Sequence, residues 1–196
     1  MNKILLTLAL ILSIVVFGQS EDSKSKTMGF FISPNVQIGY NLGNSIKDNQ
    51  NNDSPYYQQY VAPYLPNDFT YGIGVVGGYH IFRFFALGTG IRYNFIANDQ
   101  HLLNWIIQPK FYLGKDDWKG FIELEYGKQF NHSNVNNAEH YGLKIGYQDA
   151  FSKRLNNEIG VFIYTQNYKL SGATFIGLSF GATIFSNKKY TVYRND

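Results

Sequence analysis

The chain of 196 residues contains no cysteine, which excludes disulfides, thiolate metal sites, cysteine nucleophiles and a lipid-anchored N-terminal cysteine. Charge is also scarce, at 16% of residues against about 25% in an ordinary soluble domain. The 17 basic residues are scattered among 14 acidic ones for a formal net charge of +3, and the absence of a Lys/Arg run excludes a nucleic-acid footprint. Long apolar runs are missing beyond the first twenty residues. Nothing there approaches the roughly 18 consecutive apolar residues of a membrane-spanning helix, and mean hydropathy is -0.24. What the chain does have is aromatics, 17% of it with 16 Tyr and 16 Phe, beside 19 glycines. The length allows one domain, or at most two small ones, with enough chain for a sizeable core.

The N-terminus reads as an export signal. Lys3 precedes an apolar run from Ile4 to Phe17 that is interrupted only by Thr7 and Ser13, a length that suits a signal peptide better than a membrane anchor. Small residues at Val16 and Gly18 place cleavage before Gln19, with a cut after Ser20 as the alternative. The expected organisation is a cleaved signal over 1-18, a periplasmic segment over 19-28, a barrel over 29-185 and a short periplasmic tail over 186-196.

From Gly29 onward the pattern has period two, the signature of strands. Large apolar residues alternate with small or polar ones in eight segments, each roughly 9 to 13 residues long, which is what a tilted strand needs to cross a bilayer. The first sets Phe30, Ile32, Val36, Ile38 and Tyr40 against Ser33, Asn35, Gln37 and Gly39; the third sets Phe85, Leu87, Ile91, Tyr93 and Phe95 against Ala86, Gly88, Gly90, Arg92 and Asn94. Short connections follow segments two, four and six. Those after one, three, five and seven vary more, the longest being 42-68. This alternation is the outer-membrane pattern, with short periplasmic turns and longer outer loops. An even strand count then puts both termini in the periplasm. The expected fold is an all-β, eight-stranded, antiparallel up-and-down transmembrane barrel.

A soluble ligand-carrying barrel would need the same alternation with its apolar face inward. Eight strands enclose only enough room for side chains to fill, and some five large apolar residues per strand would overfill it. The glycine-rich polar face suits a narrow lumen instead, whereas exposed in a soluble barrel it would weaken strands without packing gain. The aromatics agree with lipid outside. Tyr40, Tyr71, Tyr93, Trp105, Tyr126 and Tyr141 fall near one set of strand ends, and Phe30, Tyr79, Phe85, Phe111 and Tyr147 near the other. Two such girdles are expected where amphipathic rings sit at headgroup level.

The hairpin from Tyr71 to Phe95, the segment from Gln108 to Gly127 and the stretch from Tyr141 to Ile163 resemble the outer-membrane β-barrel proteins of the OmpA and OmpX type, often called porin-family. The resemblance is one of pattern over nearly all of the mature chain. It implies an outer-membrane location of the Gram-negative type, contact with outer-membrane lipid and lipopolysaccharide, and insertion by the outer-membrane assembly machinery. The family often ends on an aromatic residue read during assembly, but here Phe185 is followed by the tail Ser186 to Asp196. That tail is far too short for a peptidoglycan-binding domain.

Candidate chemistry is sparse. Arg92, Lys110 and Lys144, with Glu123, Glu125 and Glu158, share the lumen parity. Confined charges must pair, so these six are expected to form a salt-bridge network that plugs the lumen. The G-x-G-x-x-G match at Gly72, Gly74 and Gly77 runs on into Tyr79 and His80 with no helix, so a dinucleotide cofactor is not implied. His80, His101, His132 and His140 lack metal spacing and read as loop or lumen residues, and no cofactor is expected. His132, Ser133 and Glu139 are similar in kind to the constellation of lipid A deacylases, where a His activates a Ser. Here His132 and Ser133 are adjacent, and neighbours on a strand point to opposite faces. Finally, Tyr56, Tyr57, Tyr60 and Tyr64 in the first loop, stiffened by Pro55 and Pro63, could recognise an extracellular sugar or protein, the alternative being a merely solvated loop. A non-catalytic monomer with an integrity or surface-interaction role is the expected function. The other classes are a lipid A-modifying esterase and a soluble carrier.

Overall fold

The computed structural model describes residues 29-43, 66-82, 84-97, 100-114, 119-132, 137-151, 154-167 and 172-186. The signal segment, the 19-28 stretch, Tyr56, Tyr57, Tyr60 and Tyr64, Ser133 and the tail beyond Ser186 lie outside these residues. Eight strands run in chain order: β1 (Phe30–Asn41), β2 (Phe69–Phe82), β3 (Phe85–Ala97), β4 (Gln100–Leu113), β5 (Lys119–Gln129), β6 (Glu139–Ala150), β7 (Leu155–Asn167) and β8 (Gly172–Phe185). Each pairs antiparallel with the next, and β8 closes on β1. The result is an up-and-down barrel without edges.

The register fixes the barrel's shape. Starting at Phe111 and stepping through partners, the path visits Ile122, Ile145, Val161, Leu178, Ile38, Tyr71 and Phe95 and returns to β4 at His101. The return lies ten residues from the start, which is the shear, and with eight strands it tilts them by about 40° to the axis. Strands of 11 to 14 residues then rise about 25 to 35 Å, enough to match a hydrocarbon layer of about 30 Å.

Two prolines interrupt the ladder where physical chemistry says they must. Pro34 is in register with Val75 on β2, but pairing with β8 breaks between Ile32 and Asn35. Pro109 is in register with Leu87 on β3, but pairing with β5 breaks between Ile107 and Lys110. Without an N–H each proline can serve one neighbour and not the other.

The two ends differ less in connection length than the sequence pattern implies. At the end carrying β1's start and β8's finish, β2 passes to β3 across residues 83 and 84. At the opposite, loop end, the link between β3 and β4 is also two residues, because both strands extend to the pair Ala97 and Gln100 through a bulge after Phe95. The long connection, between Asn41 and Phe69, is tied at its return: the Asn41 amide donates to Asp68 O at 2.7 Å and the Asn67 amide to Ile96 O at 2.8 Å.

Alternation is nearly perfect, with β1 strictly exposed-buried throughout. The outward set includes Phe30 at 68% exposure, Ile38 at 60%, Ile145 at 56% and Val161 at 52%. The buried set inside the barrel includes Arg92, Glu123, Glu125 and Lys144. The molecule is thus inverted relative to a soluble domain, with its polar side chains in the core.

Candidate functional site: the lumen

The lumen-facing positions carry three successive layers. Near the chain-terminal end Phe31, Val76, Ala86, Ile106, Tyr112, Phe121 and Phe185 form one apolar cluster. At the loop end Ile96, Leu102, Ala138, Phe162, Tyr164, Ala173 and Phe175 form a second. Charged and amide side chains fill the space between them.

The aromatic rings fit because glycines face them. Phe31 is in register with Gly78, and a Cβ on Gly78 would sit 2.7 Å from Phe31 Cε1. Phe121 is in register with Gly146, whose Cβ would be 2.6 Å from the Phe121 ring. Phe162 likewise lies over Gly39, at 2.9 Å from such a Cβ. A ring laid across a cross-strand glycine covers backbone that would otherwise be bare. His80 completes the lower layer, stacked on Tyr112 at 5.0 Å and edge-on to Phe31 at 5.6 Å.

Between the layers all six expected ionic residues join one network. Arg92 grips Glu125 with two bonds, Nε to Oε1 at 2.5 Å and Nη2 to Oε2 at 2.7 Å, the bidentate geometry that suits guanidinium and carboxylate. Its third contact, Nη1 to Asn35 Oδ1 at 3.2 Å, ties β3 to β1. Lys110 Nζ lies 2.7 Å from Glu158 Oε1 and 3.6 Å from Glu123 Oε2, and Lys144 Nζ lies 2.5 Å from Glu123 Oε1. Gln108 links the two halves by donating to Glu123 Oε1 at 2.7 Å and reaching Glu125 Oε2 at 3.4 Å. The six formal charges sum to zero. Arg92 is fully buried and Glu123 is 2% exposed, a depth at which only this degree of pairing is tolerable.

No protein-family model matches the chain, and no curated protein matches it in sequence. Solved structures do match. The crystal structure of Neisserial surface protein A aligns with a TM-score of 0.52 and 9% identity, covering 82% of this chain and 99% of that one. The chain shares that barrel's fold. The N-terminal β-barrel domain of Pseudomonas aeruginosa OprF aligns at 0.48 with 10% identity over 81% of this chain and 100% of that one. A de novo designed transmembrane β-barrel aligns at 0.40 with 14% identity over 80% and 98%.

Several lumen residues beyond the six charges join the network, among them His140, one of the histidines that read as loop or lumen residues. His140 places Nε2 2.9 Å from Glu125 Oε1 and Nδ1 3.3 Å from Gln166 Oε1, extending the network toward the loop end. Thr183 donates to Glu158, and its hydroxyl lies 3.1 Å from that of Ser33. The Tyr164 hydroxyl meets Thr70 Oγ1 at 3.0 Å, and Thr70 in turn donates to Phe95 O at 2.6 Å. The parity that selects Arg92 and Glu125 also selects Asn35, Gln108, His140 and Thr183. That signal was legible. The same parity puts Tyr112, Phe162 and Tyr164 on the lumen side, whereas Phe31, between the outward Phe30 and Ile32, reads as part of an apolar run.

The outward aromatics gather at both ends. Toward the loops Tyr40 meets Phe69, Tyr71 stacks on Phe95 at 4.7 Å, and Tyr126 meets Tyr141. Tyr93 Oη lies 2.5 Å from His101 Nδ1, and Trp105 faces outward two residues below Leu103. At the other end Phe30 meets Tyr79 at 4.9 Å and Phe85 meets Phe111 at 5.0 Å, with Tyr147 exposed nearby. Of the histidines, His80 and His140 are buried in the lumen, His101 belongs to the outward rim, and His132 is exposed beyond β5. Glu139, on β6, accepts from the Tyr141 hydroxyl at 2.7 Å and is in register with Lys128. Gly72, Gly74 and Gly77 lie within β2, which continues as strand through His80.

Proposed function

We propose that this chain is a non-catalytic integral outer-membrane barrel whose lumen is plugged, serving membrane integrity or interaction at the cell surface. The observation that carries the reading is the distribution of charge. On the outward face, between Lys128 and Glu139 at the loop end and Asp149 at the other, no strand position among the described residues is charged. Arg92, Lys110, Glu123, Glu125, Lys144 and Glu158, which lie between these limits, point inward and pair. Only a hydrocarbon environment makes that inversion stable, because lipid imposes no cost on exposed Ile, Val and Leu and a heavy one on Arg or Glu.

In this reading the two groups of aromatics sit at the headgroup levels, both chain termini are periplasmic, and the protein is a monomer bathed by lipid and lipopolysaccharide after insertion by the assembly machinery. The first loop, with Tyr56, Tyr57, Tyr60 and Tyr64, is where an extracellular ligand would be met. Cell fractionation combined with gel mobility tests the core of the proposal. The protein should sediment with outer membranes and run faster unheated than boiled in SDS. Recovery from the soluble periplasm, with no difference on heating, would overturn it.

A further inference from the structure

One small cavity opens inside the lumen, lined by Gln37, Glu123, Glu125, His140, Lys144 and Tyr164 among others, with room for about one water molecule. Two features show that it is built. First, Gln37, a wall residue of this space, is 5% exposed and its Oε1 has no protein hydrogen-bond partner. A buried carbonyl oxygen of that kind is destabilising unless something donates to it. Second, the wall residue on β6 is Gly142. A Cβ there would stand 3.2 Å from Glu125 Cβ, 3.4 Å from His140 Nε2 and 3.6 Å from Tyr164 Cβ, closing the space from the side. Its φ lies outside the left-handed region, so the backbone does not call for glycine. The space does.

We infer that this is a binding site for a single internal water, held between Gln37 on β1 and the ionic network on β5 and β6. The chemistry selects a neutral ligand that both donates and accepts. Gln37 Oε1 needs a donor. Lys144, an ammonium with three N–H groups of which one serves Glu123, offers a donor in return. The six formal charges of the network that borders the space already cancel, so a cation or an anion would enter uncompensated. Water alone meets these terms in so small a volume, donating to Gln37 Oε1 and accepting from Lys144, within the two to four partners of a buried water. Its place also gives β1 a second link across the lumen beside the Asn35 contact with Arg92.

Isotope-labelled protein refolded in nanodiscs, with water-to-protein cross-relaxation observed at the Gln37 side-chain amide, provides the test. The wild type should show a cross-peak from a long-lived water. Gly142→Ala, which fills the space, and Gln37→Leu, which removes the orphan acceptor and is read at the Tyr164 ring protons, should each reduce that signal at least several-fold. Gly142→Ala should leave the fingerprint spectrum of β2 and β3 unchanged, and should Gly142→Ala fail to fold, Gln37→Leu decides alone. A wild type without the cross-peak, or variants that retain it in full, would overturn the assignment.

Discussion

Arg92 and Glu125 show most plainly what a charge needs in order to stay inside this barrel. The guanidinium is enclosed, makes two bonds to one carboxylate and a third to Asn35, and has no water to fall back on. Removing one partner therefore costs more than the pair contributes, because the survivor is left buried and uncompensated. Glu125→Leu should lower unfolding stability by about 3 to 5 kcal/mol. Adding Arg92→Met to it should recover most of that loss, since both charges then leave together. Urea titration of vesicle-inserted protein, followed through Trp105, would measure both, and a double variant no better than the single one would refute the account. Glycine is the other decisive residue type. A Cβ on Gly177 would run into the Ile38 carbonyl oxygen and the Gly39 backbone, whereas one on Gly77, facing outward, meets only Phe31 O at 4.0 Å. Gly177→Ala should prevent insertion of the barrel as judged by the heat-dependent gel shift, while Gly77→Ala should lie within about 0.5 kcal/mol of wild type, as surface changes usually do.

At the scale of the strand, Pro109 offers a test of how the ladder is held. Its pairing toward β3 is intact and toward β5 interrupted, so the missing N–H is the one that would have pointed at β5. Pro109→Ala supplies that donor. Residue 109 should gain a slowly exchanging amide in hydrogen–deuterium exchange, worth about 0.5 to 1.5 kcal/mol if the bond forms well, and rapid exchange there would show that the interruption has another cause. The strands themselves were legible in the sequence because lipid outside and polar lumen inside impose a strict period of two, and one face of β1, β4 or β7 can be read off residue by residue. So was the grouping of six charges, since parity alone puts Arg92, Lys110, Glu123, Glu125, Lys144 and Glu158 on the same side. What parity does not reveal is height along the axis or the identity of the cross-strand neighbour. The pairing of Phe121 with Gly146, and of Lys110 with Glu158 from a strand three positions away, follows from the shear. That quantity is fixed by register and is invisible in any one strand. The shortness of the link between β3 and β4 is not legible for a different reason: Ile96 and Ala97 both turn inward at a bulge, breaking the alternation that marks a strand.

On the proposed plugged reading, the barrel taken whole is blocked in series by its layers, two of which lie below the loop-end cluster of Phe162, Tyr164 and Phe175. The lower seal is aromatic, where Phe31, Tyr112, Phe121 and Phe185 meet around His80; the upper seal is ionic, from Lys110 and Glu158 up to Arg92 and His140. They block by different physics. The aromatic layer excludes ions because they would lose hydration against ring faces and gain nothing in exchange. The ionic layer excludes them because its charges already satisfy one another and its side chains fill the cross-section. Blocks in series make a distinctive prediction, since opening any one leaves the others in the path. In planar bilayers the wild type should pass no steady current. Phe31→Ala with Phe185→Ala, opening the lower seal, should stay silent, and so should Glu123→Ala with Lys144→Ala, which thins the upper seal without stranding a charge of either sign. Combining all four changes with Phe162→Ala and Phe175→Ala, which open the loop-end cluster, should produce a stable, ohmic conductance. A wild type that conducts steadily would disprove the plug, and a pair that conducts on its own would show that one layer carries the whole seal.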